Sequence, residues 1–170
     1  MRRLAAAVAV FACCALAQAH SASDAYLTLD LKATAIEAQW DIALRDLHFV
    51  LAIDDDGDGA ITWAEVKRHR GGIEAYAYAR LRAGSDDGPC AIERGSLLVS
   101  MRADGGYASL SFRIVCAGRP RKVTLDYDLL FDVDPTHRGI VVVRSGSATA
   151  TSLMSPVNTR IELGRRSGTL

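Results

Sequence analysis

The chain has few of the residues from which catalytic and transition-metal sites are built. It holds four histidines and four cysteines in 170 residues. His20, His48, His69 and His137 form no H-E-x-x-H pair and join no cysteine cluster, which excludes the common zinc signatures. No C-x-x-C, phosphate loop or serine nucleophile elbow occurs. With no such constellation, the chain is not read as an enzyme. An excess of one charge is also missing. Lys and Arg number 20 and Asp and Glu number 20, so nothing points to nucleic acid as a partner. Internal repeats and low-complexity stretches are absent, and beyond the N-terminus no apolar run is long enough to cross a bilayer.

The N-terminus itself is apolar. Arg2 and Arg3 precede the run Leu4 to Leu16, and Ala17-Gln18-Ala19 supplies a small-x-small cleavage site. That is the layout of a secretory signal peptide over residues 1–19, with a retained anchor or a lipidated Cys13 as alternatives. Residues 20–163 are then expected to form one exported domain, periplasmic or secreted, with a disordered polar tail over 164–170. Cleavage removes two of the 20 basic residues and leaves 18, a slightly acidic protein. It also leaves only Cys90 and Cys116, and two cysteines in an exported chain are expected to pair.

Hydrophobic periodicity gives the fold class. Ala25 to Lys32 and Ile36 to Arg45 alternate with a period of two, as two antiparallel strands turning near Ala33-Thr34. At Asp46, a candidate N-cap, the period becomes helical for about two turns. After Glu65 the stretches "VKRHR" and "IEAYAYARL" read as helical, with a break expected at Gly71-Gly72. Strand patterns return from Cys90. "AIERGSLLVSMR" and "YASLSFRIVC" flank an Asp104-Gly105 turn, and folding about Asp104 sets Cys116 opposite Ile92, two residues from Cys90. A disulfide at the base of this hairpin is expected. "KVTLDYDLLF", "GIVVVRSG" and "TRIEL" complete the strands. The order predicts an α+β fold: an antiparallel sheet or sandwich carrying a helical insertion from about Asp46 to Arg82.

One stretch inside that insertion carries chemistry, "DDDGDGAITWAE", Asp54 to Glu65. It matches the EF-hand pattern D-x-[DN]-x-[DN]-G-x5-E at every defined position. Ca2+ is a hard cation that takes six to eight oxygens. Asp54, Asp56 and Asp58 alternate so that a tight loop aims each carboxylate at one centre, and Gly59 permits the reversal. Ala60 offers a carbonyl, Thr62 a hydroxyl or a held water, and Glu65 closes the site with both oxygens. Apolar Ile61 suits a loop packed on a core. The alternative is a solvated acidic turn. No second such loop is present, and the helix before it is short, which favours a structural clamp over a sensor. His20 offers a rival site. As a free N-terminus its amine and imidazole would chelate nickel or copper. Trp40 and Trp63 are expected as core or interface aromatics.

"AHSASDAYLTL", "QWDIALRDLHFVLAIDDDGDGAITWAEV", "IEAYAYARL" and "VDPTHRGIVVV" resemble the exported N-terminal region of HupE/UreJ-type membrane proteins, over most of His20 to Val143. The resemblance implies an exported calcium-loop domain, as a stand-alone paralogue or a remnant of such a transporter, and a membrane-embedded protein as a partner. The histidine-bearing membrane portion of that family has no counterpart here, so its transport role does not carry over.

Overall fold

The computed structural model describes residues 23–164. The expected signal peptide, His20 and the tail beyond Gly164 lie outside them. The described residues form an α+β fold of two β-sheets with three short helices. β1 (Asp24–Leu31) and β2 (Ile36–Ala43) form the expected hairpin, with Leu27 opposite Trp40. The chain then runs through α1 (Leu44–Leu51), α2 (Trp63–Arg68) and α3 (Arg70–Ala79). It returns as β3 (Leu81–Ser85), β4 (Gly88–Pro89), β5 (Ala91–Arg102), β6 (Gly105–Val115), β7 (Lys122–Tyr127), β8 (Arg138–Ser145), β9 (Ala148–Met154) and β10 (Arg160–Gly164). One sheet has the order β5-β6-β2-β1-β8-β9 and the other β10-β7-β3-β4.

Alternation fills the space between them. Ala25, Leu27 and Leu29 from β1 and Ile36, Ala38, Trp40 and Ile42 from β2 face inward from the large sheet. Leu81, Ala83, Val123, Leu125, Tyr127 and Leu163 come from the small one, and all join one core.

Several expectations need correction. β8 pairs with β1 in parallel, because the chain reaches it by a crossover from β7 in the other sheet. A period of two carries no strand direction, so the sequence is silent on this. α1 starts at Leu44 with Ala43 as its cap, and Asp46 lies in its first turn, where a carboxylate favours the helix dipole. The break between α2 and α3 falls at His69, which closes one helix and opens the next. Gly71 and Gly72 lie in the first turn of α3. The strand expected through Phe131 stops at Tyr127, where Leu130 turns the chain at φ 60. β3 and β9, rich in small residues, give too little apolar contrast to read as strands. Gly164, assigned to the tail from the sequence, is the last residue of β10.

The disulfide joins Cys90 and Cys116, with Cα atoms 4.2 Å apart. The hairpin sets these residues face to face, two positions from the expected register. Its turn is one step tighter than a fold about Asp104, and a bulge between Arg94 and Leu97 shifts the pairing one step further. Gly95 sits in that bulge. A Cβ there would lie 2.6 Å from Ser111 Oγ and 2.8 Å from its carbonyl, so only glycine lets the strands close. Closing a loop of 26 residues constrains the unfolded chain by about 3.5 kcal/mol on the loop-entropy model.

Candidate metal centre

The acidic stretch is pinned at both ends by the core. α1 follows β2 without a break and buries Leu44 and Leu47. It ends at Ala52, whose φ of 48 reverses the chain and whose N–H bonds the His48 carbonyl at 2.8 Å. Ile53 is fully buried before the loop and Val66 fully buried after it. Ile61 packs on the same core from within the loop, as its position in the pattern requires.

Between these anchors the backbone winds around its own carboxylates. Asp54 accepts from Gly57 N–H through Oδ1 at 2.8 Å and from Gly59 N–H through Oδ2 at 3.0 Å. Asp58 N–H donates to Asp56 at 3.2 Å, and Ala60 N–H to Asp58 at 2.7 Å. Gly57 and Gly59 hold φ values of 72 and 83, and no atom lies within 4 Å of where their Cβ would be. Glycine is required there by conformation rather than by space. The outcome is that carboxylate oxygens of Asp54, Asp56 and Asp58 all lie within 4.8 Å of one another. That spacing would let one cation reach an oxygen of all three side chains.

Glu65 and Thr62 sit beside this triad, joined to each other. Glu65 is only 2% exposed. Its Oε1 accepts from Asp55 N–H at 2.9 Å, and its Oε2 accepts from Thr62 N–H and Thr62 Oγ–H, both at 2.7 Å. Thr62 Oγ in turn accepts from Glu65 N–H at 3.3 Å, which completes a capping box at the start of α2. These bonds, the Thr62 hydroxyl first, lower the Glu65 pKa to about 2. Glu65 is thus held ionised next to the aspartates. Of the six predicted ligands the structure groups three. Ala60 lies between the triad and the cap, tied to Asp58.

Two histidines outside the motif also touch the loop. His48 Nδ1 accepts from Asp54 N–H at 3.2 Å. His69 Nε2 lies 2.7 Å from Asp55, which Arg68 also meets at 2.7 Å. The His69 bond leads in lowering the Asp55 pKa. Asp55 is thus engaged by Arg68 and His69 at the end of α2 and stands outside the triad. Its place in the pattern, the undefined position between two ligands, is the signal that it would do so. Trp40 is core, against Tyr127, and Trp63 remains 46% exposed.

A second polar group sits at the other end of α1. His137 is fully buried, with Ser23 Oγ 2.8 Å from Nδ1 and Tyr127 Oη 2.8 Å from Nε2. Ser23 donates to Asp46 at 3.0 Å. Since Ser23 gives its proton to Asp46, it accepts from His137 Nδ1–H, and Nε2 accepts from the Tyr127 hydroxyl. Ser23 and Asp46 border a cavity of about 370 Å³ with Phe49 and Val133 at its rim. In this chain the serine bridges the carboxylate and the imidazole. In a hydrolytic triad the imidazole stands in the middle, so the catalytic order is absent.

No protein-family model matches the chain, and no curated protein matches it.

Proposed function

We propose that Asp54 to Glu65 is a single EF-hand-type calcium loop in a periplasmic or secreted domain, and that its ion is structural rather than sensory. The observation that carries this is the triad: three alternating carboxylates whose oxygens already converge within 4.8 Å, in a loop fixed to the core at both ends. Asp54, Asp56 and Asp58 would each give a side-chain oxygen, Ala60 its carbonyl, and Thr62 its hydroxyl or a held water. Glu65 would close the site. A carboxylate has about four acceptor sites, and Glu65 uses three of them on the loop, so binding through both oxygens means giving up a capping bond.

Three features favour a structural ion. α1 has eight residues and α2 six, so no long helix pair stands ready to swing. Ile53 and Val66 hold the loop's ends in the core. Among extracellular modules affinities are about 10⁻⁴ to 10⁻³ M, matched to surroundings where calcium is plentiful. Asp55, paired with Arg68, adds little to the repulsion an ion would relieve, which leaves the three aspartates of the triad and the ionised Glu65 to do so. The disulfide is compatible with an oxidising compartment, and among the described residues no helix is long and apolar enough to cross a membrane.

Calorimetric titration of the processed protein tests the reading. Calcium-dependent heat is expected in the wild type and its loss in Asp54→Ala. A wild type that gives no heat with calcium overturns it.

A further inference from the structure

The two sheets present four edges, and three of them are blunted. β4 is two residues long and contains Pro89. β10 carries Arg160 and Glu162, ion-paired to Asp126 and Lys122 of β7. β5 carries Glu93, Arg94 and Arg102 and is bent by the bulge after Arg94. Short length, charge, proline and bulges are the devices by which proteins protect sheet edges. β9 has none of them. Its sequence is "ATATSLM", its pairing with β8 runs without a register shift, and Ala148 to Thr151 are exposed. Among the described residues no strand covers its outer side.

The direction of its backbone groups follows from the residues just beyond. Ser155 exchanges both backbone bonds with Asn158, at 3.1 and 2.9 Å, and the Asn158 side chain donates to the Leu153 carbonyl at 2.7 Å. Ser155 and Leu153 thus turn their backbone groups away from β8. The alternation of an antiparallel pair extends this to Thr151 and Thr149. Asn158 already satisfies the Leu153 carbonyl. The open part of the edge is therefore the N–H and C=O groups of Thr149 and Thr151.

We propose that this edge pairs with the same edge of a second copy of the chain, by an antiparallel two-fold contact centred on Ala150. In that register Thr149 meets Thr151 of the partner subunit and the reverse, which satisfies all four open groups in two reciprocal pairs. Registers centred further along β9 collide with the carbonyl that Asn158 has taken. An identical strand brings no charge to the seam, so like residues meet without repulsion, as a two-fold axis demands. The two large sheets then run on as one.

Sedimentation velocity of the processed protein over a concentration series tests this. A dimer of twice the chain mass is expected at the upper end. Thr151→Pro removes an outward N–H that the monomer does not use, so it is expected to abolish the dimer with the thermal midpoint of the monomer kept. Ala150→Lys, exposed in the monomer, sets two ammonium groups face to face on the axis and is expected to do the same. Ala150→Cys is expected to cross-link on mild oxidation through the two introduced thiols alone, since a non-hydrogen-bonded pair places Cα atoms about 4.5 Å apart, within disulfide reach. A monomer at every concentration overturns the proposal. So does a dimer that survives both Thr151→Pro and Ala150→Lys.

Discussion

The molecule holds polar side chains in two opposite ways, one at each end of α1. In the acidic loop every carboxylate of the triad is held by a backbone N–H at most five residues away, and the side chains stay largely in water. In the chain Tyr127–His137–Ser23–Asp46 the partners are far apart in sequence, 114 residues between Ser23 and His137, and the imidazole has no contact with water. The loop loses little by desolvation and keeps its oxygens free for an ion. The buried chain satisfies each group only through the next, so it is held or lost as a unit. One arrangement is suited to binding, the other to locking β1, β7 and β8 together.

The largest test of this contrast is His137→Ala. It leaves a cavity in the core and strands the Tyr127 hydroxyl, which together should cost about 3 to 4 kcal/mol in chemical denaturation. Calcium affinity of the fraction that remains folded should be unchanged. A matching loss of affinity would show that the two ends of α1 act as one.

The pH profile should show the next effect. Burial holds the His137 imidazole down, at a pKa of about 4. An unfolded imidazole takes up its proton near pH 6.5, so the unfolded chain is protonated first and gains from acid. Stability from this group is complete above pH 6.5 and drains away as pH falls toward 4, by about 3 kcal/mol in all. The slope between those limits should flatten in His137→Ala. An unchanged slope would assign it to the carboxylates.

How much of each region can be read in advance follows from the same distances. Every hydrogen-bond partner of the three triad carboxylates lies between Asp54 and Glu65, so spacing alone brings out the triad and its turn glycine. Sequence does not say that Glu65 caps α2 through Thr62, since a ligand and a cap need the same residue types three apart. Nor does it pair Asp55 with His69, because that contact needs α2 to be folded. The strands of the hairpins are legible from alternation. The parallel β1–β8 pairing is not, and His137 reads only as an isolated histidine until that pairing and the turn through Leu130 bring it under Ser23 and Tyr127. The cysteine register is off by two residues because a turn one step tighter and a one-residue bulge at Gly95 are both invisible to a pattern count.

Calcium itself should move stability by less than His137 does. With Kd at about 10⁻⁴ M and calcium at about 1 mM, mass action adds about 1.4 kcal/mol. The gain should vanish in Asp54→Ala and persist in His137→Ala, measured as the shift in denaturation midpoint with and without chelator. A gain that survives in Asp54→Ala would place the ion elsewhere.

The smallest effect separates the two roles assigned to Glu65. Thr62→Ala removes the hydroxyl side of the capping box and should cost about 1 kcal/mol without calcium. It also releases Glu65 Oε2 from a bond it would otherwise exchange for the ion. Two consequences for calcium then oppose each other: a candidate ligand is lost at Thr62, and the closing carboxylate is freed. Affinity should change by no more than a few-fold. Glu65→Gln keeps an acceptor for the cap but gives up the charge and one of the two closing oxygens. Its effect should be the reverse, a small change in stability without calcium and at least a tenfold loss of affinity, a factor worth about 1.4 kcal/mol. If both variants lost affinity equally, Thr62 would be a ligand of the same rank as Glu65. If neither did, the triad would bind alone and Glu65 would serve only as the cap of α2.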